Sequence, residues 1–138
     1  MSVHGGLLSL ETPGNGHVVD ITPGVESVVS TSQVDRGLVT VFATGSTAAI
    51  TTMEYEPGGV HDLQGLLDRL VPPSAEYEHN RRNHDTNAHA HLRAAVIGPS
   101  ETIPIVDGRL VLGTWQQVVL IDFDDRPRRR TVTVQVLS

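Results

Sequence analysis

The fold is decided by the stretch "TIPIVDGRLVLGTWQQVVLIDFDDRPRRRTVTVQVL", residues 102–137. Short runs of β-branched and aliphatic residues recur along it between polar or glycine-containing segments, a pattern typical of β-strands. The pair Asp107-Gly108 separates the first two runs by two residues and predicts a tight hairpin turn. We therefore expect the last third of the chain to form consecutive, mainly antiparallel strands.

Two helices are predicted before this β-rich region. The stretch "TPGVESVVSTSQV" offers Thr22 as an N-cap and Pro23 at the first helical position, with valines on one face. A second stretch carries apolar residues at helical spacing and stops at a proline pair, Pro72-Pro73. Its apolar stripe consists of Val60, Leu63, Leu66, Leu67 and Leu70.

Two further strands are expected between these helices, in "GLVTVFATG" and "TAAITTMEY", joined at Gly45 and Ser46 as a hairpin. Strands at both ends of the chain with helices between them indicate the α+β class. The predicted architecture is a mainly antiparallel sheet with two or three helices packed on one face. The chain is expected to form one domain, residues 1–138, in which residues 1–16 form a loose N-terminal arm or a short edge element.

The composition narrows the function. Because the chain has no cysteine, it has no disulfide, thiolate zinc site or cysteine nucleophile, and His, Asp and Glu are left as metal ligands. The net charge of −6 argues against nucleic-acid binding. The dense basic run Arg126–Arg130 is interpreted as a solvated strand entrance, with an anion clamp as the alternative. With no membrane-spanning run and no signal peptide recognisable, a cytoplasmic protein with no membrane partner is expected.

The stretch "EHNRRNHDTNAHAHLR", residues 78–93, contains four of the seven histidines. His89 and His91 have the i, i+2 spacing of neighbours on one strand face, and His79, His84 and Asp85 could fold back toward them. Such a set of nitrogen and oxygen donors is suited to a divalent transition metal. A polar loop whose histidines bond to backbone and solvent explains the same spacing, so both interpretations stay open.

Two other groups of side chains are candidates for a site. The loop before "AAITT" offers a backbone anion nest beside the hydroxyls of Ser46 and Thr47. Glu54 follows a predicted strand, where a carboxylate is either functional or simply solvated. Trp115, the only tryptophan, is expected in the core or at an interface, and Gln116 on the opposite face of its strand.

Several stretches together resemble one family: "STAAITTMEYEPG", "HDLQGLLDRLVPP", "YEHN", "NAHAHLRAAVIGPS" and "IPIVDGRLVLGTWQQVVLIDFDDRPRRRTVTVQV". They are similar to the YjbQ family, also called the secondary thiamine-phosphate synthase enzyme family, over roughly residues 17–137. The resemblance implies a small α+β domain that assembles as a homotrimer, with polar pockets near subunit contacts. It also implies weak thiamine-phosphate synthase activity, in which a pyrimidine diphosphate and a thiazole phosphate are joined and pyrophosphate is displaced.

The resemblance also selects residues for a site. Among the histidines it picks out His79 and His91, with His89 at a tolerant position, and it matches Glu54 and Asp62 to acidic positions of the family. The candidate site then consists of catalytic Glu54, His91 and Gln116, of substrate- or anion-binding Ser46, Thr47, Asn87 and Trp115, and of metal-binding His79, His89 and His91.

The chain departs from the family pattern at two places. Many members carry a histidine in an "H-T-[ST]-A" motif where this chain has Gly45, and many have "N-E" where it has Met53-Glu54. The absent imidazole puts in doubt any activity or metal binding that passes through position 45, although His89 could supply a ligand from a different direction.

The expected cofactor is a divalent metal, zinc-like if histidines hold it and magnesium if it serves phosphate chemistry. The expected partners are further copies of the chain and a small phosphorylated metabolite. Two alternatives to the synthase stay open, namely a non-catalytic trimer that binds a metal or an anion, and a metal-assisted phosphate-ester hydrolase.

Overall fold

The computed structural model describes all 138 residues, which form eight strands and four helices. In chain order they are β1 (Val3–Thr12), β2 (His17–Asp20), α1 (Thr22–Ser32), β3 (Arg36–Ala43), β4 (Ala48–Met53), α2 (Pro57–Leu70), α3 (Glu78–Asn83), α4 (Ala88–Ile97), β5 (Ser100–Val106), β6 (Arg109–Leu110), β7 (Gln117–Asp122) and β8 (Arg128–Leu137). The predicted α+β class is confirmed. None of the helices combines the length and the apolar character needed to cross a membrane.

The strands form two antiparallel sheets rather than the single predicted sheet. The larger sheet has the order β1-β8-β3-β5-β6, and the smaller has the order β2-β7-β4. Along β8 the residues alternate, so that Val132, Val134 and Val136 are buried while the residues between them face outward. These valines share one core with Ile50 and Leu120 of the smaller sheet, so the two sheets bury their inner faces together.

The helices cover more than one face, which corrects the prediction that they pack on one. Val25 and Val29 of α1 lie in the core shared by the sheets. Leu67 of α2 and Ala90 of α4 lie in a second core with alternate residues of β7. Because β7 is buried on both faces, its residues 118–121, "VVLI", are continuously apolar instead of alternating.

Of the two expectations for residues 1–16, the loose arm is wrong and the edge element is confirmed, because β1 is an edge strand of the larger sheet. Ten residues of this segment form β1, which pairs with β8 from Val3 opposite Leu137 to Thr12 opposite Arg128. Leu8 and Leu10 alternate onto the shared core, but the glycines and polar residues around them obscure this period in the sequence. Gly6 is needed where α1 approaches, because a Cβ there would lie 2.7 Å from Cγ2 of Val28.

The predicted hairpin of β3 and β4 is also wrong. β3 lies in the larger sheet between β8 and β5, whereas β4 pairs with β7 in the smaller sheet. The loop of residues 44–47 therefore crosses from one sheet to the other. The two predicted helices are confirmed, but Thr22 is the first residue of α1 rather than its cap, and its hydroxyl accepts from the backbone N–H of Val118. The hairpin turn at Asp107 (φ 54°) and Gly108 (φ 73°) is also confirmed. α2 is capped by Glu56, whose carboxylate accepts from the backbone N–H groups of Gly58 and Gly59.

Candidate functional site

The histidine-rich stretch folds as two short helices, neither the polar loop nor the strand that its spacing suggested. α3 ends at Asn83, the next residue His84 adopts the left-handed conformation (φ 51°), and α4 begins at Ala88. The side-chain oxygen of Asn80 in α3 accepts a hydrogen bond from the backbone N–H of Ala88, and its backbone oxygen accepts from that of Asp85. These bonds fix α3 against the start of α4.

This arrangement brings His79 and His91 together. Their ring centroids lie 4.8 Å apart with the planes tilted by 48°, and both side chains are half-buried. Nδ1 of His79 lies 3.0 Å from the side-chain oxygen of Asn80, which orients the ring. The two imidazoles therefore lie side by side in one half-buried region of the surface.

His89 does not converge with His91, contrary to the expectation from their spacing. In a helix, side chains two residues apart point about 200° away from each other. His89 consequently turns inward and is 6% exposed, and its buried Nδ1 has no hydrogen-bond partner. Burial, with a contribution from the nearby positive charge of Arg93, lowers the pKa of His89 and so favours its neutral form.

The single chain does not complete a metal site. No group of three or more His, Asp or Glu side chains is arranged so that it could hold a metal ion. The pair of His79 and His91 supplies two imidazoles, whereas catalytic zinc sites use three protein ligands and structural sites four. His84 and Asp85, also considered as ligands, are exposed on the turn between the helices.

Near the start of α4 lies a buried group of charges centred on Asp122 and Arg130. The Asp122 carboxylate, which is fully buried, accepts hydrogen bonds from Nε and Nη2 of Arg130 at 2.8 and 2.7 Å. It also accepts from the hydroxyl of Thr12 and from the backbone N–H of Asp124 at 3.1 Å. Burial alone raises the pKa of Asp122, but the bonds from Arg130 and Thr12 outweigh it and hold the pKa below its ordinary value.

A second buried carboxylate, Asp124, connects this group to α4. It accepts from Nε of Arg128 at 2.7 Å, from the hydroxyl of Thr47 at 3.2 Å and from the side-chain amide of Asn87 at 3.3 Å. Burial alone raises the pKa of Asp124, but the bonds from Arg128 and Asn87 hold it well below its ordinary value. The other side-chain atom of Asn87, Oδ1, is buried without a partner.

The basic run 126–130 is therefore only partly the solvated entrance that was expected. Arg126 and Arg129 are exposed, but Arg130 is buried and paired with Asp122. The alternation of β8 contained a signal for this, because Arg130 occupies the same inward-facing series as Val132. The side-chain hydroxyl of Thr47, expected to bind an anion, is engaged with Arg130 and Asp124 instead, whereas Ser46 is exposed.

The remaining candidates, Glu54, Trp115 and Gln116, lie at the C-terminal end of β4, whereas Thr47 and the buried charges lie at its N-terminal end. Glu54 is exposed just beyond that strand, and Trp115 exposes 72% of its surface. The amide of Gln116 donates to the hydroxyl of Thr52 at 3.0 Å, in the turn before β7 rather than on a strand face. The six residues of β4 span roughly 17–20 Å, so this group cannot meet the histidine pair within one chain. None of the five principal surface grooves is lined by any of the candidate residues.

Comparison with known proteins gives a consistent result. Residues 7–138 match the family described as UPF0047 protein YjbQ-like. A UPF0047 protein of Methanothermobacter thermautotrophicus is 38% identical over 136 residues, covering 99% of this chain and 93% of that protein. One of Archaeoglobus fulgidus is 38% identical over 130 residues, covering 94% and 98%.

Solved structures agree with this match. A hypothetical protein of Aeropyrum pernix K1 superposes with a TM-score of 0.91 at 37% identity, over 100% of this chain and 99% of that one. A YbjQ-like protein of unknown function from Sulfolobus solfataricus P2 superposes with a TM-score of 0.89 at 33% identity, over 99% of both chains. The chain therefore belongs to the YjbQ-like UPF0047 family.

Proposed function

We propose that this protein binds a small phosphorylated metabolite beside His79 and His91, and that its reaction is the weak thiamine-phosphate synthase coupling that the sequence resemblance implies. The observation that carries the proposal is the pair of imidazoles, whose ring centroids are 4.8 Å apart on two helices fixed to each other. Nδ1 of His79 is engaged with the Asn80 side-chain oxygen, so His79 donates to a ligand through Nε2 in its doubly protonated form, and the His91 ring has no hydrogen-bond partner within the protein. Two such imidazoles are suited to the oxygens of a phosphate or diphosphate.

The proposed reaction requires stabilisation of the negative charge on the leaving pyrophosphate and no proton transfer to the reacting atoms. The thiazole nitrogen attacks the pyrimidine methylene, the new C–N bond forms, and the C–O bond to the diphosphate breaks with its electron pair leaving on pyrophosphate. His79 and His91 would donate hydrogen bonds to the departing oxygens, where negative charge increases in the transition state. Asn87, which is buried, would act on the substrate only indirectly, by positioning the start of α4.

The other predicted residues complete this site only if they come from a second copy of the chain. In the proposal, Trp115 stacks on the pyrimidine, Gln116 donates to it, and the carboxylate of Glu54 faces the positive charge that develops on the thiazole. These three lie at the far end of β4 from the histidines. A head-to-tail ring of three copies would place one end of each chain against the opposite end of the next, which is the homotrimer we propose.

A divalent metal stays part of the proposal as an ion shared between the His79–His91 pair and ligands outside this chain. Because one chain supplies two imidazoles, no step of the mechanism above depends on the metal. Each chain has one His79–His91 pair, so a fully occupied trimer holds one ion per chain. Metal content measured on untreated protein tests this part, and an ion content far below about one per chain would remove it.

The central experiment is an assay of purified protein with the two thiamine precursors, with and without a chelator. His91→Ala is expected to lower turnover by about 100- to 1000-fold, because it removes one donor to the leaving group. His61→Ala is the matched control, since His61 is an exposed histidine whose one close partner is the neighbouring Asp62, and it should keep full turnover. If no coupled product forms under any metal condition, the synthase proposal is refuted. If His91→Ala keeps full activity, the assignment of the site is refuted. Phosphate release without coupling would indicate hydrolysis instead.

A mixing experiment tests whether two copies share the site. Glu54→Gln and His91→Ala are each expected to be nearly inactive alone, but a 1:1 mixture of refolded chains should recover about a quarter of wild-type turnover. The recovery arises because an intact Glu54 and an intact His91 then meet at some subunit contacts. A mixture as inactive as its components would place both residues in one subunit's site or in none.

A further inference from the structure

The loop that crosses between the sheets leaves several backbone donors unused. Thr44 donates its N–H to the carbonyl of Thr131 at 3.2 Å, and β4 begins at Ala48. Between them, the N–H groups of Gly45, Ser46 and Thr47 donate to no acceptor in the protein. Successive N–H groups of this kind form a concavity that attracts anions.

A buried guanidinium lies against the same loop. Arg130 is 8% exposed, and its Nε and Nη2 are engaged with Asp122 and with the hydroxyl of Thr47. Its third nitrogen, Nη1, makes no hydrogen bond within the protein. A Cβ added at Gly45 would lie 3.0 Å from that Nη1, so the absence of a side chain at position 45 leaves the nitrogen accessible from the loop.

These groups have the properties of a prepared anion site. All of them are donors, and Arg130 is held in one orientation by its two bonds to Asp122, so little side-chain freedom is lost on binding. The charge of Arg130 is already balanced by Asp122, and that of Arg128 by Asp124. Binding must therefore come from hydrogen bonds more than from net charge, and we expect an affinity in the millimolar range with little dependence on salt.

We propose that the N–H groups of Gly45–Thr47, the Ser46 hydroxyl and Nη1 of Arg130 bind a phosphate group of the substrate. The proposal rests on the proposed function for the identity of that substrate, but not for the binding of phosphate. The site lies at the histidine end of the molecule, because the Thr47 hydroxyl and the Asn87 amide both bond to Asp124. Arg130 is the residue added here, and Thr47 contributes its backbone N–H in place of its occupied hydroxyl.

The test is an NMR titration of the ¹⁵N-labelled, full-length protein with inorganic phosphate at constant ionic strength. The amide signals of residues 45–47 and the side-chain signal of Arg130 should shift and saturate together. Ser46→Ala should weaken binding by about two- to tenfold, which corresponds to one lost hydrogen bond. Gly45→Ala, which covers Nη1, should weaken it by at least tenfold, with a melting curve recorded to establish that the variant is folded.

The matched control is Arg129→Ala, which removes an exposed arginine from the same strand and should change the affinity less than twofold. If Arg129→Ala weakens binding as much as Ser46→Ala, the basic run attracts phosphate without a site and the proposal fails. Shifts at His79 and His91 with residues 45–47 unmoved also overturn it.

A second titration separates this proposal from the synthase. The phosphorylated thiazole precursor should bind the loop more tightly than inorganic phosphate, and its dephosphorylated form should leave residues 45–47 unshifted. Phosphate binding at the loop in a protein without coupling activity removes the synthase and keeps the site. Coupling activity in a protein whose residues 45–47 do not respond to phosphate keeps the synthase and removes the phosphate site.

Discussion

Replacing Asp122 by Asn should destabilise the protein strongly while leaving its shape almost unchanged. Asp122 is fully buried and accepts four hydrogen bonds, two from Arg130, one from Thr12 and one from the backbone of Asp124. Asparagine keeps one of the two oxygens. The amide nitrogen that replaces the other turns a donor toward Nε of Arg130 and the Thr12 hydroxyl, which are donors themselves.

The expected magnitude follows from these bonds. A hydrogen bond to a charged group contributes about 1.5–3 kcal/mol, and both bonds lost in Asp122→Asn go to the carboxylate, so together they amount to roughly 3–6 kcal/mol. An independent estimate for breaking a buried ion pair by removing one partner is about 3–5 kcal/mol. For a chain of this length the melting temperature should fall by on the order of 10 °C.

Urea unfolding at neutral pH and fixed protein concentration measures this change, since an oligomer's stability depends on its concentration. Asp125→Asn is the matched control, because Asp125 is exposed and should change the unfolding free energy by less than about 1 kcal/mol. The double variant Asp122→Leu with Arg130→Met should be closer to wild type than Asp122→Asn, because it leaves no Asp122–Arg130 partner unpaired. Equal stability of Asp122→Asn and Asp125→Asn would refute the reasoning.

Three further changes probe other parts of the molecule. Gly14→Ala should lower the free energy of unfolding, measured in urea, by about 2 kcal/mol or more. The reason is that φ of Gly14 is +75° and a Cβ there would lie 2.5 and 2.6 Å from two backbone oxygens. Gly5→Ala is the control, because Gly5 has open space around it, and it should change this free energy by less than about 0.5 kcal/mol. Arg93→Met should cost about 1–3 kcal/mol in the same assay, because Arg93 donates twice to the backbone carbonyl that follows α2. The lowered pKa of His89 means that unfolding takes up a proton at acidic pH. The stabilising contribution of His89 is therefore complete above about pH 6.5 and is lost as the pH falls below that value. His89→Gln should make the free energy of unfolding depend less on pH between pH 7 and 5.

The strands and helices with a clear period could be predicted from the sequence, but their partners could not. The apolar stripe of α2 and the Asp107-Gly108 turn are local patterns, and the structure has both. Whether β3 pairs with β4 depends on the whole topology, since both strands bury one face in the same core from different sheets. Whether residues 1–16 form a loose arm or an edge strand could not be decided from the sequence, because exposed Val3 and Leu7 and inward-facing Gly6 and Thr12 break the apolar–polar alternation of β1.

For the histidines of the candidate site, too, the local pattern could be predicted from the sequence but the contacts could not. Spacing alone favours His89 and His91, because i, i+2 neighbours share a face on a strand, and it misleads once the segment is helical. The contact of His79 with His91 depends on how two helices meet, which no local pattern contains. Arg130 was missed for a different reason, since a run of arginines on the surface and a run with one arginine turned inward have the same composition.

Stability and binding meet at Arg130. Asp122 lies on β7 of the smaller sheet and Arg130 on β8 of the larger, so their ion pair joins the two sheets at one end. The same pair orients Nη1 toward the loop at Gly45. A ligand that binds only this arrangement stabilises the native state by about 1.4 kcal/mol at a concentration ten times its dissociation constant. Phosphate should consequently protect the wild-type protein against urea and should protect Asp122→Asn much less, because in that variant the guanidinium that binds phosphate has lost the group that positions it.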